Sequence, residues 1–162
     1  MSDREHYIEL HRQLHSQSTL HFAGKSLRKY IEQIDSLIAE HNCETILDYG
    51  CGKAQFWPEQ WQCKIQGYDP AWEKFNKEPV PADIVICCDV MEHIPESEIE
   101  HILTHINSLA NNWTFFAIDT KQAKKRFLDG SNCHVTVQTP EWWQEQLKKH
   151  CPRHTLQFEA VK

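Results

Sequence analysis

The chain has 162 residues, enough for one domain with a buried core and too few for a second folded domain. Its formal net charge of −6 gives no general attraction to nucleic acid or anionic lipid, and no apolar run is long enough to cross a bilayer. The charged first residues, "MSDREHYIEL", lack the apolar segment of a signal peptide, so we expect a cytoplasmic protein without a membrane or nucleic-acid partner.

The predicted elements begin with a helix from Ser26 to about Asn42, because apolar residues recur there at intervals of three and four behind a serine that can cap. A second helix follows Pro95, and a third follows Thr139 and Pro140. Short β-rich runs separate these helices. The predicted strands are 44–49, 64–69, 83–88, 113–118 and, as an edge strand, 154–161.

Strands that alternate with helices predict an α/β fold: a Rossmann-like three-layer sandwich with a mostly parallel, shortened sheet. The segment 70–82 is close to the minimum of about 10–12 residues for a parallel crossover, which leaves no space for an extra strand. We treat residues 1–162 as a single domain, with N-terminal helices and a lid in 1–43 and the ligand-binding sheet in 44–162.

The cysteines and histidines do not predict a metal site. Seven cysteines include no CxxC pair, so we expect reduced core thiols. Among eleven histidines only His101 and His105 are spaced i, i+4 on a helix, and we expect no metal. The basic runs 25–29 and 121–126 are typical of solvated helix faces.

The stretch "TILDYGCGKAQ" predicts the ligand site, because the first strand-to-helix turn of such a sheet carries glycines that allow close approach of a ligand. Asp69 ends the next strand, where a carboxylate can accept hydrogen bonds from ribose hydroxyls. Gln55 replaces the third glycine of a dinucleotide-binding turn, and the spacing around Lys53 does not fit a phosphate-binding loop. A nucleoside without phosphates fits best.

Three motifs, "ILDYGCGKA", "GYDP" and "ADIVICCDVMEHIPE", resemble in order and spacing the first, second and fourth motifs of class I S-adenosylmethionine-dependent methyltransferases. The run "HVTVQTPEWWQEQL" is similar to the segment after the fifth strand in the small-molecule branch of that family. The resemblance covers roughly residues 44–160. It implies S-adenosyl-L-methionine as the cofactor and a small-molecule acceptor.

The resemblance also implies roles for individual residues. Asp48, Gly50 and Gly52 would line the methionine end of the cofactor, and Asp69, followed by Pro70, would hold its ribose. Asp89 and Val90 would close over the ligand. Any proton transfer at the acceptor would fall to His93 or His134, since histidine titrates near neutrality. In this family the third strand often supplies an acidic adenine contact, and no residue here matches it.

Other interpretations remain open from the sequence. Asp89, Glu92 and His93 could be turn and capping residues, His134 a structural histidine and the tryptophans core or pocket wall. The main functional hypothesis is methyl transfer to a small molecule. A non-catalytic S-adenosylmethionine-binding protein, or a subunit of a larger assembly, is the alternative, and a nicotinamide-dependent oxidoreductase is third. We also expect residues 21–26 to fold over the ligand as part of a lid.

Overall fold

The structure, a computed structural model, describes residues 1–159. Two helices and three strands come first, and helices and strands alternate only from β3 onward. The elements are α1 (Asp3–Gln17), α2 (Ile31–Glu40), β1 (Thr45–Tyr49), β2 (Lys64–Tyr68), β3 (Ala82–Cys88), α3 (Ile99–Leu109), β4 (Ala110–Ile118), α4 (Pro140–His150) and β5 (His154–Phe158).

The five strands described form one sheet in the order β2-β1-β3-β4-β5, and every neighbouring pair is parallel. The predicted α/β class is therefore confirmed, and β5 lies at the edge as expected. The strand order reverses between β1 and β3. In an open α/β sheet this switch point is where a ligand binds, next to the carboxyl ends of the strands.

Alternating side chains of the strands build two cores, one on each face. Leu47, Val85 and Phe116 point to one face and pack with α3 and α4, whose Leu103 and Trp143 are fully buried. On the other face, Ile46, Ile84 and Phe115 pack with Ile34 and Leu37 of α2. Helices on both faces complete the predicted three layers. No helix within residues 1–159 has both the length and the apolarity to cross a bilayer.

The connections β1–β2 and β2–β3 contain no α-helix within the described residues. The β1–β2 connection is irregular, and the β2–β3 connection contains only the 3-10 turn Glu73–Phe75. Trp57 and Trp61 of the first connection pack against the α2 face of the sheet instead. Two large aromatic side chains thus cover apolar surface that a crossover helix covers in a longer chain.

The helix starts were predicted with mixed success. Thr139 caps α4 as expected, accepting a hydrogen bond from the Trp142 N–H. Ser26 was wrongly assigned as a helix cap: it lies in a 3-10 turn, Lys25–Lys29, and its hydroxyl is bonded to a distant carboxylate. The segment after Pro95 likewise forms a 3-10 turn before α3 begins. Residues 160 and 161 of the predicted last strand lie outside the described residues.

Helix α1 does not cover the sheet face. Ser2 and Glu5 form a capping box that fixes its start. Its buried Leu10 and Leu14 pack with Phe127 and Cys133 of the long connection after β4. This small third core places α1 above the carboxyl ends of the strands. All seven cysteines are free, as the sequence predicted.

Lys53 fastens α1 to the turn that follows β1. Its ammonium group donates hydrogen bonds to the carbonyl oxygens of His15, Ser18 and His21, at 3.1, 2.6 and 2.9 Å. These carbonyls belong to the end of α1 and the residues just beyond it, where helical partners are missing and a positive charge is favourable. One side chain therefore bonds one carbonyl of the last helical turn and two carbonyls of the segment that follows it.

We predict that Lys53→Met releases α1. A hydrogen bond to a charged group contributes about 1.5–3 kcal/mol, so the free energy of unfolding should fall by at least about 2 kcal/mol. Hydrogen exchange should show lost protection of residues 3–17 while α3 stays protected. The control is Lys64→Met, at an exposed lysine. Unchanged stability and unchanged exchange in Lys53→Met would contradict this role.

Candidate active site

A cavity of about 1090 Å³ lies at the carboxyl ends of β1 and β3. Helix α1, the 3-10 turn Lys25–Lys29 and the connection after β4 border it. Every site residue predicted from the sequence lines this cavity: Asp48, Gly50, Gly52, Asp69, Pro70, Asp89, Val90, His93 and His134. Their individual roles stay predictions, but the structure brings all nine together.

The glycine turn needs its glycines for two reasons. Gly50 and Gly52 have φ of 78° and 57°, the left-handed region that side chains disfavour. A Cβ on Gly50 would lie 2.3 Å from Val90 Cγ2, and a Cβ on Gly52 only 2.0 Å from the Phe22 carbonyl oxygen. The turn is therefore packed tightly between the end of β3 and the N-terminal segment.

Asp69 is oriented by two backbone N–H groups. Gly52 N–H donates to Oδ2 and Ala71 N–H donates to Oδ1, each at 2.9 Å. Burial raises the pKa of Asp69, and these two hydrogen bonds oppose that rise. Each carboxylate oxygen accepts more than one hydrogen bond, so the side chain keeps capacity for hydroxyl groups in the cavity.

Asp48 is the most deeply buried acid of the glycine turn. Trp57 Nε1–H donates to its Oδ2 at 2.7 Å. Burial raises its pKa to about 7, against the lowering effect of the Trp57 hydrogen bond, and nearby Asp69 adds to the rise. A cation bound beside Asp48 would favour the ionised form. This suits a ligand with an ammonium group or a sulfonium.

A second group lies where β3 ends. Asp89, Glu92, His93 and His134, here called the Asp89 cluster, each offer one ligand atom, and these atoms all lie within 4.8 Å of one another. Asp89 has a φ of 60°, a strained value for a residue other than glycine. Ser26 holds it, donating its hydroxyl to Asp89 Oδ2 at 2.9 Å.

Glu92 is the residue that sequence reasoning missed. It was taken as a turn or capping residue, yet it is fully buried behind the cavity wall. Its Oε1 accepts from Asp119 N–H at 2.8 Å, and its Oε2 has no hydrogen-bond partner in the structure. Burial raises the pKa of Glu92 well above its usual value, and the neighbouring Asp89 raises it further. The available signal was the spacing of Asp89, Glu92 and His93 after a buried strand.

Each histidine of the cluster is oriented through its Nδ1. His93 Nδ1 bonds the Cys133 carbonyl at 2.9 Å, and His134 Nδ1 bonds the Lys121 carbonyl at 2.5 Å. A carbonyl only accepts, so both Nδ1 atoms carry a proton, and in the neutral ring the lone pair is then on Nε2. Burial lowers the pKa of His93 to about 3, which makes it a weaker base than a histidine that titrates near neutrality.

The N-terminal segment contacts both the glycine turn and the Asp89 cluster. The Phe22 and Ala23 carbonyls accept from Lys53 N–H and Gln55 N–H, so the predicted lid residues pair with the glycine turn. From α1, His15 lies 3.9 Å from Asp69 Oδ2, and the rings of His11 and His93 lie 5.4 Å apart. Whether residues 21–26 move with ligand stays a prediction.

A sequence profile of the methyltransferase domain family matches residues 9–158. The chain therefore belongs to that family, which confirms the class that the three motifs indicated. Among curated proteins and solved structures, no significant match to the chain was found. The matched range begins within α1, the helix above the cavity.

We predict that Asp48→Asn stabilises the protein in a pH-dependent way. The unfolded carboxyl ionises above its ordinary pKa of 3.8, whereas the folded one stays protonated to about pH 7. The native state thus binds more protons in this window, and the free energy of unfolding falls as the pH rises. At about 1.4 kcal/mol per pKa unit, the variant should gain up to about 4 kcal/mol at pH 8 and much less at pH 5.

Urea unfolding of both proteins at the two pH values measures this gain. Asp35→Asn is the control, because Asp35 is exposed and its hydrogen bond to Trp61 lies on the far face of the sheet. If Asp48→Asn were equally stable relative to wild type at both pH values, Asp48 would be ionised in the fold and the assignment of its pKa would be wrong.

Proposed function

We propose that this protein transfers the methyl group of S-adenosyl-L-methionine to a small-molecule acceptor. The observation that carries the proposal is one cavity that is lined by the glycine turn and Asp69 and also by Asp89, His93 and His134. The family supports methyl transfer in general, and the cavity residues support the cofactor. A volume of about 1090 Å³ leaves space for a nucleoside and a second small ligand.

The residues of the turn fit a nucleoside better than a nucleotide. Asp69 presents a buried carboxylate to the cavity, and a carboxylate suits the paired hydroxyls of a ribose. The lysine in the turn, Lys53, is committed to three carbonyl oxygens of the N-terminal segment. It is therefore not free to bind a phosphate. This observation argues against NAD, as does Gln55 in place of the third glycine.

The bound cofactor supplies an electrophilic methyl group on a positively charged sulfur. The protein's own residues position the reactants and exclude water, because a displacement of this kind depends on alignment. Asp69 would fix the ribose, Asp48 would lie beside the positively charged methionine end, and Val90 packs against the turn between them. Helix α1 and Phe22 shield the cavity from solvent.

The acceptor side points to a small molecule with negative charge. Both basic runs, predicted as solvated faces, are mostly exposed and also line the cavity. The cationic residues at the cavity are Arg4, Lys25, Arg28, Lys29, Lys121, Lys124 and Lys125. Lys29 is already paired with Glu159 at 2.7 Å, and the remaining cations form a basic rim that favours an anionic group on the ligand. Helix α1 above the cavity restricts the size of that ligand.

We predict that the protein binds S-adenosylmethionine and S-adenosylhomocysteine but not NAD. In calorimetry, Asp69→Ala should weaken both sulfur ligands, since each ribose hydroxyl would lose a charged acceptor that contributes about 1.5–3 kcal/mol. Asp69→Asn should have an intermediate effect, because its amide oxygen still accepts one N–H. Asp35→Asn, on the far face, should bind as wild type does.

Two outcomes would contradict the proposed function. Tight binding of NAD without binding of either sulfur ligand would place the protein in a different reaction class. Full affinity in Asp69→Ala, with the variant folded, would mean that the ribose lies elsewhere. Once binding is established, transfer of a labelled methyl group to a panel of small anionic compounds would identify the acceptor, and neutral analogues of the same compounds would test the role of the basic rim.

A further inference from the structure

We propose that the Asp89 cluster is a binding site for one divalent first-row transition-metal ion. The cluster lies in the wall of the cavity, so a metal there would be next to the acceptor. The sequence predicts no metal, because these residues have no recognisable ligand spacing along the chain: His134 is separated from His93 by a strand, a helix and a loop. The fold brings them together.

The strongest observation is that one polar atom of each side chain bonds a group outside the cluster, and the other polar atom is directed toward the cluster. The bonded atoms are Asp89 Oδ2, Glu92 Oε1, His93 Nδ1 and His134 Nδ1, and their partners are Ser26, Asp119, Cys133 and Lys121. A metal-ligating histidine almost always donates its other ring N–H to a carbonyl or carboxylate. Both histidines of the cluster have this arrangement.

The free atoms face one another. His93 Nε2 and His134 Nε2 lie 3.9 and 4.0 Å from the same atom, Asp89 Oδ1. Glu92 Oε2 is fully buried, and no N–H or O–H group of the described residues donates to it. It lies beside the Asp89 carboxyl group, so a cation between the two carboxyl groups would satisfy both. Ligand atoms around zinc lie about 2.0–2.2 Å from the ion, so a set within 4.8 Å needs only a small contraction.

The donor set indicates the class of metal. Imidazole nitrogens favour zinc, iron, nickel and copper, whereas carboxylate oxygens favour magnesium, calcium and manganese. Two nitrogens with two carboxylates suit the borderline ions, such as Zn²⁺, Mn²⁺, Fe²⁺ and Co²⁺. A cation would also relieve the crowding of two carboxylates at a buried place. Four protein ligands still leave a coordination position for oxygen when the ion is five- or six-coordinate.

The role of this ion at the acceptor rests on the proposed function. A hydroxyl oxygen bound to the ion would lose its proton to solvent water more easily. The new O–C bond would form as the C–S bond breaks, and the bonding electron pair would stay on sulfur. The site therefore favours an acceptor that is methylated on oxygen, with the basic rim holding its negative charge.

The test is a titration of chelator-treated protein with Co²⁺, followed by visible absorption, with neither cofactor nor acceptor present. We expect one equivalent to bind without the intense near-ultraviolet band of a thiolate ligand, and Zn²⁺ to displace it. His134→Gln and Asp89→Asn should each weaken binding more than about 100-fold, beyond the 10–100-fold typical for loss of a supporting group. Asparagine tolerates the left-handed backbone at position 89, so this variant should fold.

Two further variants make the result specific. Ser26→Ala removes only the support of Asp89 and should cost about 10–100-fold in metal affinity. His101→Gln, at an exposed histidine of α3, should bind Co²⁺ as wild type does. Equal affinity in wild type, His134→Gln and Asp89→Asn, with all three folded by circular dichroism, would overturn the proposal, and so would a thiolate band.

Failure of this proposal can be told apart from failure of the proposed function. Metal binding that the cluster variants abolish, in a protein that binds no S-adenosylmethionine, would support the metal site and contradict the methyltransferase. Cofactor binding with no metal bound at the cluster would support the methyltransferase and contradict the metal site.

Discussion

The structure around the cavity depends on the tight turn that follows β1. Gly52 N–H donates a hydrogen bond to Asp69 Oδ2, and Lys53 N–H donates one to the Phe22 carbonyl oxygen. The side chain of Lys53 then reaches back to the end of α1. The second strand, the first connection and the N-terminal segment therefore meet at one turn. Because the turn tolerates no Cβ at its glycines, the whole arrangement is fixed by close packing as much as by hydrogen bonds.

This constraint places two different chemical environments in one cavity. At the glycine turn, Asp48 and Asp69 supply buried carboxylates that suit a positively charged nucleoside ligand. At the end of β3, the Asp89 cluster supplies lone pairs on both oxygen and nitrogen. Ser26 connects these two environments, since it belongs to the N-terminal segment that contacts the glycine turn and its hydroxyl bonds Asp89. The reaction that we propose needs such a division, because a cofactor and an acceptor must lie in line under one cover.

The sequence predicted those features that neighbouring residues determine. Thr139 and its following proline specify a helix start, and Gly50 and Gly52 specify a tight turn after β1, because the cause lies within a few residues. The prediction from sequence failed for Ser26, whose hydroxyl bonds a residue 63 positions away. It also failed for Glu92, whose burial depends on the packing of other elements. Lys53 was considered only as a phosphate ligand. No local pattern shows that a lysine will cap a helix that precedes it by more than 30 residues.

The most direct test of the account is a crystal structure of the protein with S-adenosylhomocysteine. We predict that the ribose hydroxyls bond the carboxylate of Asp69, that the methionine end lies along Gly50 and Gly52, and that the sulfur faces Asp89 and His93 beneath α1. A nucleoside bound outside the cavity, or a sulfur that faces away from Asp89, would contradict the claim that one cavity holds both the cofactor and the acceptor.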